Sequence, residues 1–327
     1  MAITSGTHTI GTSGDYATLN AFISDISTQT GNLVGQFISD STVSSNTFFS
    51  HDMANFNLTL EADNDHAGVI TDAHNITIAH NNNGINPTGS MSNEGDFEVK
   101  GFRMTRSVGG SNTTKSLVVM FNFTGNMYTH HMFLDGGGVN GNGVGIVDRA
   151  SNDRQLWSCL IWDCGYDGVY KSTGGVGGDF DVENVTVRNC TNGANLEPGN
   201  SEVVNNSAFF TNSNADINLT TAGTTTGDNN ATTDATADDF NTQSNNNINL
   251  TESDQVESTT DTDADFMHPK ATGVLTDGGK APTISSNTTD ITGTSYGGTY
   301  PIGCYLEQGG ASGFGGLLST QRNRLII

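Results

Sequence analysis

DFDVENVTVRNC, residues 179–190, places Val182, Val185 and Val187 in an apolar-x-x-apolar-x-apolar frame, with Cys190 three residues later. The same frame fits Leu156, Cys159, Ile161 and Cys164; Thr129, Met132, Leu134 and Gly137; Val99, Phe102, Met104 and Ser107; and Asn205, Ala208, Phe210 and Ser213. The middle positions 102, 132, 159, 185 and 208 lie 30, 27, 26 and 23 residues apart. Two shorter matches, Leu58 with Leu60 and Ile76 with Ile78, precede them. Each segment carries only a few strand residues alternating with period two, followed by a Gly/Asn/Asp/Ser-rich stretch that cannot form a crossover helix. Such strands cannot bury an apolar face alone, so successive coils must stack and share one core.

The expected fold is therefore all-β: a right-handed parallel β-helix solenoid with a short N-terminal helical cap and an extended C-terminal tail. Its register is specific. Val185 is expected above or below Cys159, and Ala208 beside Val185, all pointing inward. A small-residue column at 107, 137, 164, 190 and 213 marks a tight corner. Asp163, Asn189 and Asn212 form a polar column just before it, suited to hydrogen bonds between coils. Cys164 and Cys190 fall on adjacent coils, where a strand spacing of about 4.8 Å would allow a disulfide or stacked free thiols.

The ends read differently. GDYATLNAFISDIS places Tyr16, Leu19, Phe22 and Ile23 at helical spacing, with Asp15 able to cap. Residues 1–50 are assigned to the cap and first coil, 51–308 to the β-helix, and 309–327 to a Gly-rich linker and docking tail. The Thr/Asn/Asp-rich stretch 211–265 is expected to form irregular coils that still return to the stack. Phe266, Leu275, Ile302 and Tyr305 then restore apolar anchors. In the tail, Leu317, Leu318, Leu325, Ile326 and Ile327 either fold back on the cap or add a strand to a partner's sheet edge.

Composition narrows the function classes. The formal charge is -23, from 12 Lys and Arg against 35 Asp and Glu, so the long-range field repels nucleic acid. No apolar run reaches the roughly 18 residues of a membrane span, and the N-terminal stretch lacks the basic and apolar regions of a signal peptide, so ordinary secretion is not expected. The spacing of Cys159, Cys164, Cys190 and Cys304 matches no zinc motif, no calcium loop occurs, and no cofactor is expected.

Catalytic candidates are scattered. Asp135, Asp163, Asp167, Asp179 and Asp181 could supply the two carboxylates that glycoside cleavage needs roughly 5 to 10 Å apart. A lyase acting on uronates would draw on Arg149, Arg154, Lys171 or Arg188. Asp238-Asp239 has no accompanying basic segment. In His130-His131, adjacent strand residues should point to opposite faces, so at most one would face a cleft. Trp157, Trp162, Tyr166 and Tyr170 could instead form an aromatic platform for sugars, or pack between coils. Both tryptophans fall outside the inward slots, which favours their exposure.

Three pieces of the chain resemble right-handed, pectin-lyase-like β-helix proteins of tailed bacteriophages and environmental bacteria: the opening GDYATLNAF, the strands ENVTVRNC and VVNNSAFF, and the closing DFMHPKATGVLTDGG with PIGCYLEQ. His268 and Cys304 depart from the commoner letters. The resemblance implies a structural virion protein, such as a capsid decoration, head fibre or tail appendage, assembled in the host cytoplasm. Its partners would be other virion proteins and copies of itself, as a homo-oligomer and by resemblance often a trimer. A polysaccharide lyase or glycosidase, and a non-catalytic adhesin for host surface glycans, remain the alternatives.

Overall fold

The computed structural model describes residues 5–26, 32–43, 47–49, 57–63, 66, 68–79, 83–87, 95–107, 116–121, 125–138, 144–149, 153–172, 179–197, 201–220 and 224–306. They form a parallel β-solenoid of three sheets in which each coil pairs with the next. The first sheet stacks Gly6–Ile10, Leu33–Phe37, Leu58–Ala62, Phe97–Lys100, Met127–His130, Arg154–Trp157, Phe180–Glu183, Ser201–Asn205, Thr224–Asp228 and Thr242–Ser244. The second stacks Ser41–Val43, Asn75–Ile78, Arg103–Arg106, Phe133–Asp135, Leu160–Trp162, Thr186–Arg188, Ala208–Phe210 and Ala231–Thr232. The third stacks Thr47–Phe49, Ile85–Pro87, Ser116–Phe121, Val144–Arg149, Asp167–Lys171, Asn192–Leu196 and Ala215–Leu219.

First-sheet strands alternate buried and half-exposed residues, as in Leu33–Phe37 and Phe97–Lys100, because one face meets the shared core. Between the first and second sheets the coils from Phe97–Lys100 onward each bend through one residue of positive φ: Gly101, His131, Ser158, Asn184, Asn206, Asn229 and Asn245. Only Gly and, less readily, Asn adopt this left-handed region without strain, which explains the run of asparagines in the later coils. His131 and Ser158 occupy it at φ 53° and 49°.

The expected register holds through four segments: Leu156 pairs with Val182 and Ile161 with Val187. It slips by one residue in the fifth. Val204 pairs with Val182, Thr186 with Ala208 and Val187 with Phe209. A one-residue slip reverses every side chain, so Phe209 enters the inner core while Ala208 and Phe210 face outward. Asn212 accordingly lines up with Cys164 and Cys190, its Oδ1 accepting from Cys190 N at 2.9 Å. Thr211 takes the place beside Asn189, whose Nδ2 donates to Asp163 at 2.6 Å. All four cysteines are free and buried.

At the N-terminal end, helix α1 (Leu19–Asp25) buries Leu19, Phe22 and Ile23 against the first coils. Thr18 caps it, accepting from Ala21 N at 3.2 Å, whereas Asp15 accepts from Thr9 N and Oγ1. At the other end, residues 215–244 do return to the sheets. Residues 250–306 then leave the stack and run back as a strap along the outer face of the second sheet. Val256, Phe266, Met267, Leu275, Ile291, Ile302 and Tyr305 pack there on outward-facing Phe133, Leu160, Trp162, Ala208, Phe210 and Ala231. The second sheet is thus buried on both faces at Phe133–Asp135, Leu160–Trp162 and Ala208–Phe210, while Ser41–Val43, Asn75–Ile78 and Arg103–Arg106 keep a partly exposed outer face.

The corrected register has a direct consequence. Phe209→Ala, which empties an inward site of zero exposure, should lower the unfolding free energy by about 3–5 kcal/mol in a denaturant titration. An effect under about 1 kcal/mol would contradict the inward placement of this side chain.

Candidate functional site

The left-handed corner residues do more than turn the chain, because five of them, His131, Ser158, Asn184, Asn206 and Asn229, extend their side chains to the strap. Asn229 Nδ2 donates to Gly278 O at 2.7 Å. Asn206 donates to Lys280 O at 2.9 Å and accepts from Lys280 N at 2.8 Å. Asn184 donates to Pro301 O at 2.8 Å and accepts from Asn287 Nδ2 at 2.9 Å. Ser158 Oγ donates to Thr289 O at 2.8 Å, and His131 Nε2 meets Thr289 Oγ1 at 3.0 Å. Residues 278–289 thereby climb the corner coil by coil.

Glu183 is the strongest anchor. It has zero exposure, yet its oxygens accept from Thr283 N at 2.7 Å, Thr283 Oγ1 at 2.5 Å and Ile284 N at 3.0 Å, with Asn205 and Asn287 each at 3.4 Å. Dense donation of this kind is what allows a buried carboxylate to persist. Asp290 repeats the pattern inside the strap, accepting from Thr292, Thr294 and Leu306. Burial raises its carboxyl, against those hydrogen bonds.

One coil cluster gathers ionisable groups of mixed sign. His130 and His131 meet through Nδ1 atoms 2.7 Å apart, and His130 Nε2 lies 2.8 Å from Glu98 Oε1. Glu98 also pairs with Lys100, which reaches Glu61 at 3.6 Å. The Trp157 ring stacks on His130 at 4.2 Å and 9°. Two adjacent strand residues would face opposite ways, but His131 is the left-handed corner residue, and that turn swings its ring beside its neighbour. Burial pushes Glu98 up; the His130 hydrogen bond and charge and the Lys100 ammonium outweigh it and leave the carboxyl well below its usual range. Burial lowers both histidines, and His131 falls to about 3 with His130 and His66 adding to the effect.

The carboxylates expected for glycan cleavage are placed apart or already engaged. Asp135 pairs with Arg103 at 2.6 Å, and Asp167 accepts from Asn192 and Asn195. Asp163 joins Asn189, and Asp179 is exposed at the edge of the first sheet. Asp181 and Glu183 share one strand face two residues apart, about 6.5 Å along the strand, a separation that could serve two-carboxylate chemistry. Glu183, however, spends both oxygens on the strap. Asp181 is raised to about 6 by burial first and then by Glu183, Asp179 and Asp153. Asp238 and Asp239 are exposed after the last full coil.

Basic groups do not converge on Asp181 either. Arg154 is buried and donates to Gly125 O and Asp153 O, Lys171 is buried, and Arg188 engages Glu252 and Thr259 O. Arg149 ends a third-sheet strand.

The aromatic candidates do not form a platform. Trp157 lies on the first sheet at 3% exposure and Trp162 on the second at 0%, so the exposure expected of both gives way to burial. The strap residue Phe266 packs edge-on to Trp162 at 5.6 Å, and Trp157 is stacked on His130 and meets Tyr128 edge-on at 6.2 Å. Tyr166 is half-buried at a corner, and half-buried Tyr170 donates to Glu197 from the third sheet. Leu317, Leu318, Leu325, Ile326 and Ile327 lie outside the described residues.

Among the described residues no three His, Cys, Asp or Glu side chains are grouped to hold a metal ion, and no helix is long and apolar enough to cross a membrane. No protein-family profile, curated protein or solved structure matches the chain.

The geometry makes Glu183 a mechanical residue. Glu183→Ala leaves buried strap donors without an acceptor and should destabilise the protein by about 3 kcal/mol or more. Limited proteolysis should then cut within residues 278–306 well before the stack, and wild-type resistance in the variant would refute the anchoring role.

Proposed function

We propose that this protein is a non-catalytic structural component of a tailed-phage virion: a capsid decoration, head fibre or tail appendage built on a rigid solenoid. The observation that supports this most is the commitment of Glu183. The best-spaced carboxylate pair on the first sheet has one member fully engaged in holding the strap, and the remaining polar columns are likewise used for stacking. A scaffold needs such internal cross-linking, whereas a glycan-cleaving cleft needs two unengaged carboxylates. The reading also draws on the resemblance of the opening, strand and closing segments to virion β-helices. Its partners would be other virion proteins and copies of this chain, with trimers the expected assembly, and its place would be the particle.

Glycan binding without cleavage is less well supported, because both tryptophans are buried. Cleavage would rest on Asp181 alone.

Quantitative mass spectrometry of particles purified from lysates of the producing host is the test. The chain should co-purify at fixed stoichiometry with the major capsid or tail proteins. Release of reducing ends or unsaturated uronates from host polysaccharide, lost in Asp181→Asn, would overturn the structural reading.

A further inference from the structure

We infer that the His130–His131 pair is an acid-sensitive latch, which holds the strap on the solenoid while the pair carries at most one extra proton and releases it when both rings are protonated. The inference stands on the hydrogen-bond chain from Glu98 to Thr289. A carboxylate can only accept, so His130 Nε2 carries the proton toward Glu98 and its Nδ1 is left as an acceptor. His131 Nδ1–H then donates across the 2.7 Å contact, and its Nε2 accepts from the Thr289 hydroxyl. Both rings are neutral in this arrangement, and the backbone carbonyl of Asp290 also faces the His131 ring, favouring a proton there.

One added proton is accommodated. His130 becomes an imidazolium beside Glu98, His131 shifts to its other tautomer, and the Thr289 hydroxyl rotates to accept. A second proton is not. Both Nδ1 atoms would then carry hydrogens 2.7 Å apart, and two cations would face each other in a buried site. Separation of the rings is the only relief, and His131 is the ring tied to the strap.

Glu98, Lys100, His66 and Asp290 are the other titratable groups that face the pair. Glu98 on the neighbouring coil favours the first proton, Lys100 beside it opposes both, and Trp157 excludes water from one face of His130. His66, whose Nε2 reaches His131 O at 3.2 Å, and the strap residue Asp290 complete the surroundings of His131. A histidine held below its unfolded value binds protons more readily once released, so docking is complete above about pH 6.5 and weakens as pH falls toward about 3. Asp290, raised by burial, works in the opposite sense, because its protonation relieves a buried charge.

Release would bare the outer face of the second sheet, where Phe133, Leu160, Trp162 and Phe210 lie under the strap. The chain has two tryptophans, both buried, one stacked on the latch and one beneath the strap. Their emission is the natural readout.

The experiment titrates the full-length protein from about pH 7 to about pH 3, following tryptophan emission, far-ultraviolet circular dichroism and pulse-labelled hydrogen exchange. The expected result is a red shift with loss of protection in residues 287–296, while the β-sheet spectrum persists. His131→Asn is the decisive variant, since Asn already occupies this corner in four other coils. His130→Gln provides a second one that keeps the left-handed corner residue intact. In both, the acid step should disappear or move down by at least about one pH unit. An unchanged step in both variants, no step in the wild type, or simultaneous loss of the sheet spectrum in wild type and variants would each overturn the latch.

Discussion

The structure depends on one backbone constraint: from the coil of Gly101 onward, the chain passes from the first sheet to the second through a single residue of positive φ. That conformation turns the chain sharply enough for two short strands to share one inner core. From His131 onward it also directs one polar side chain per coil outward along a continuous line. Stacking aligns the line, so the same residues that close the corner present a ladder of hydrogen-bonding groups. Asn fits both demands, because its amide tolerates the left-handed region and offers a donor and an acceptor together. Where Ser158 and His131 replace it, the backbone strain is retained and the side-chain chemistry changes.

The strap follows from a second constraint, the apolar outer face of the second sheet. Leu160-Ile161-Trp162 and Ala208-Phe209-Phe210 are buried at all three positions. Uninterrupted apolar triplets of this kind indicate a strand covered on both sides. An uncovered face of that size would be an aggregation surface. The strap covers it with Phe266, Leu275 and Ile302 and is itself irregular, so its backbone polar groups require partners. The corner ladder and Glu183 supply many of them. Apolar cover and polar ladder are thus complementary parts of one solution.

Much of this was legible in the sequence. The coil spacing, the inward valines of residues 179–190, the adjacent cysteines and the return of the Thr/Asn-rich stretch to the stack all follow from a period-two pattern repeated at coil length. The register slip after Val187 was not. Asn205-Ala208-Phe210 and Val204-Ser207-Phe209 each place one polar residue in an apolar slot, so hydrophobicity alone does not choose between them. The tryptophans were misplaced because an alignment of coils identifies only the inner face, and nothing in it announces the strap over Trp162 or the His130 ring stacked on Trp157. The asparagine column at 184, 206, 229 and 245 was the available signal for that cover. Read as turn residues only, it conceals the second use of their side chains.

The histidine pair shows why local rules failed where the chemistry is concentrated. Alternation along a strand separates neighbours, yet the rule ends at the last strand residue, and His131 is one position beyond it. The corner turns a pair that should diverge into one in direct contact. Its buried position is tolerated because Glu98 and Thr289 terminate the hydrogen-bond chain at each end, one on the stack and one on the strap. Asn184 and Asn206 make comparable strap contacts without a titratable atom. The ladder therefore holds the strap by the same geometry along its length, and among the corner residues His131 is the one whose hold depends on protonation.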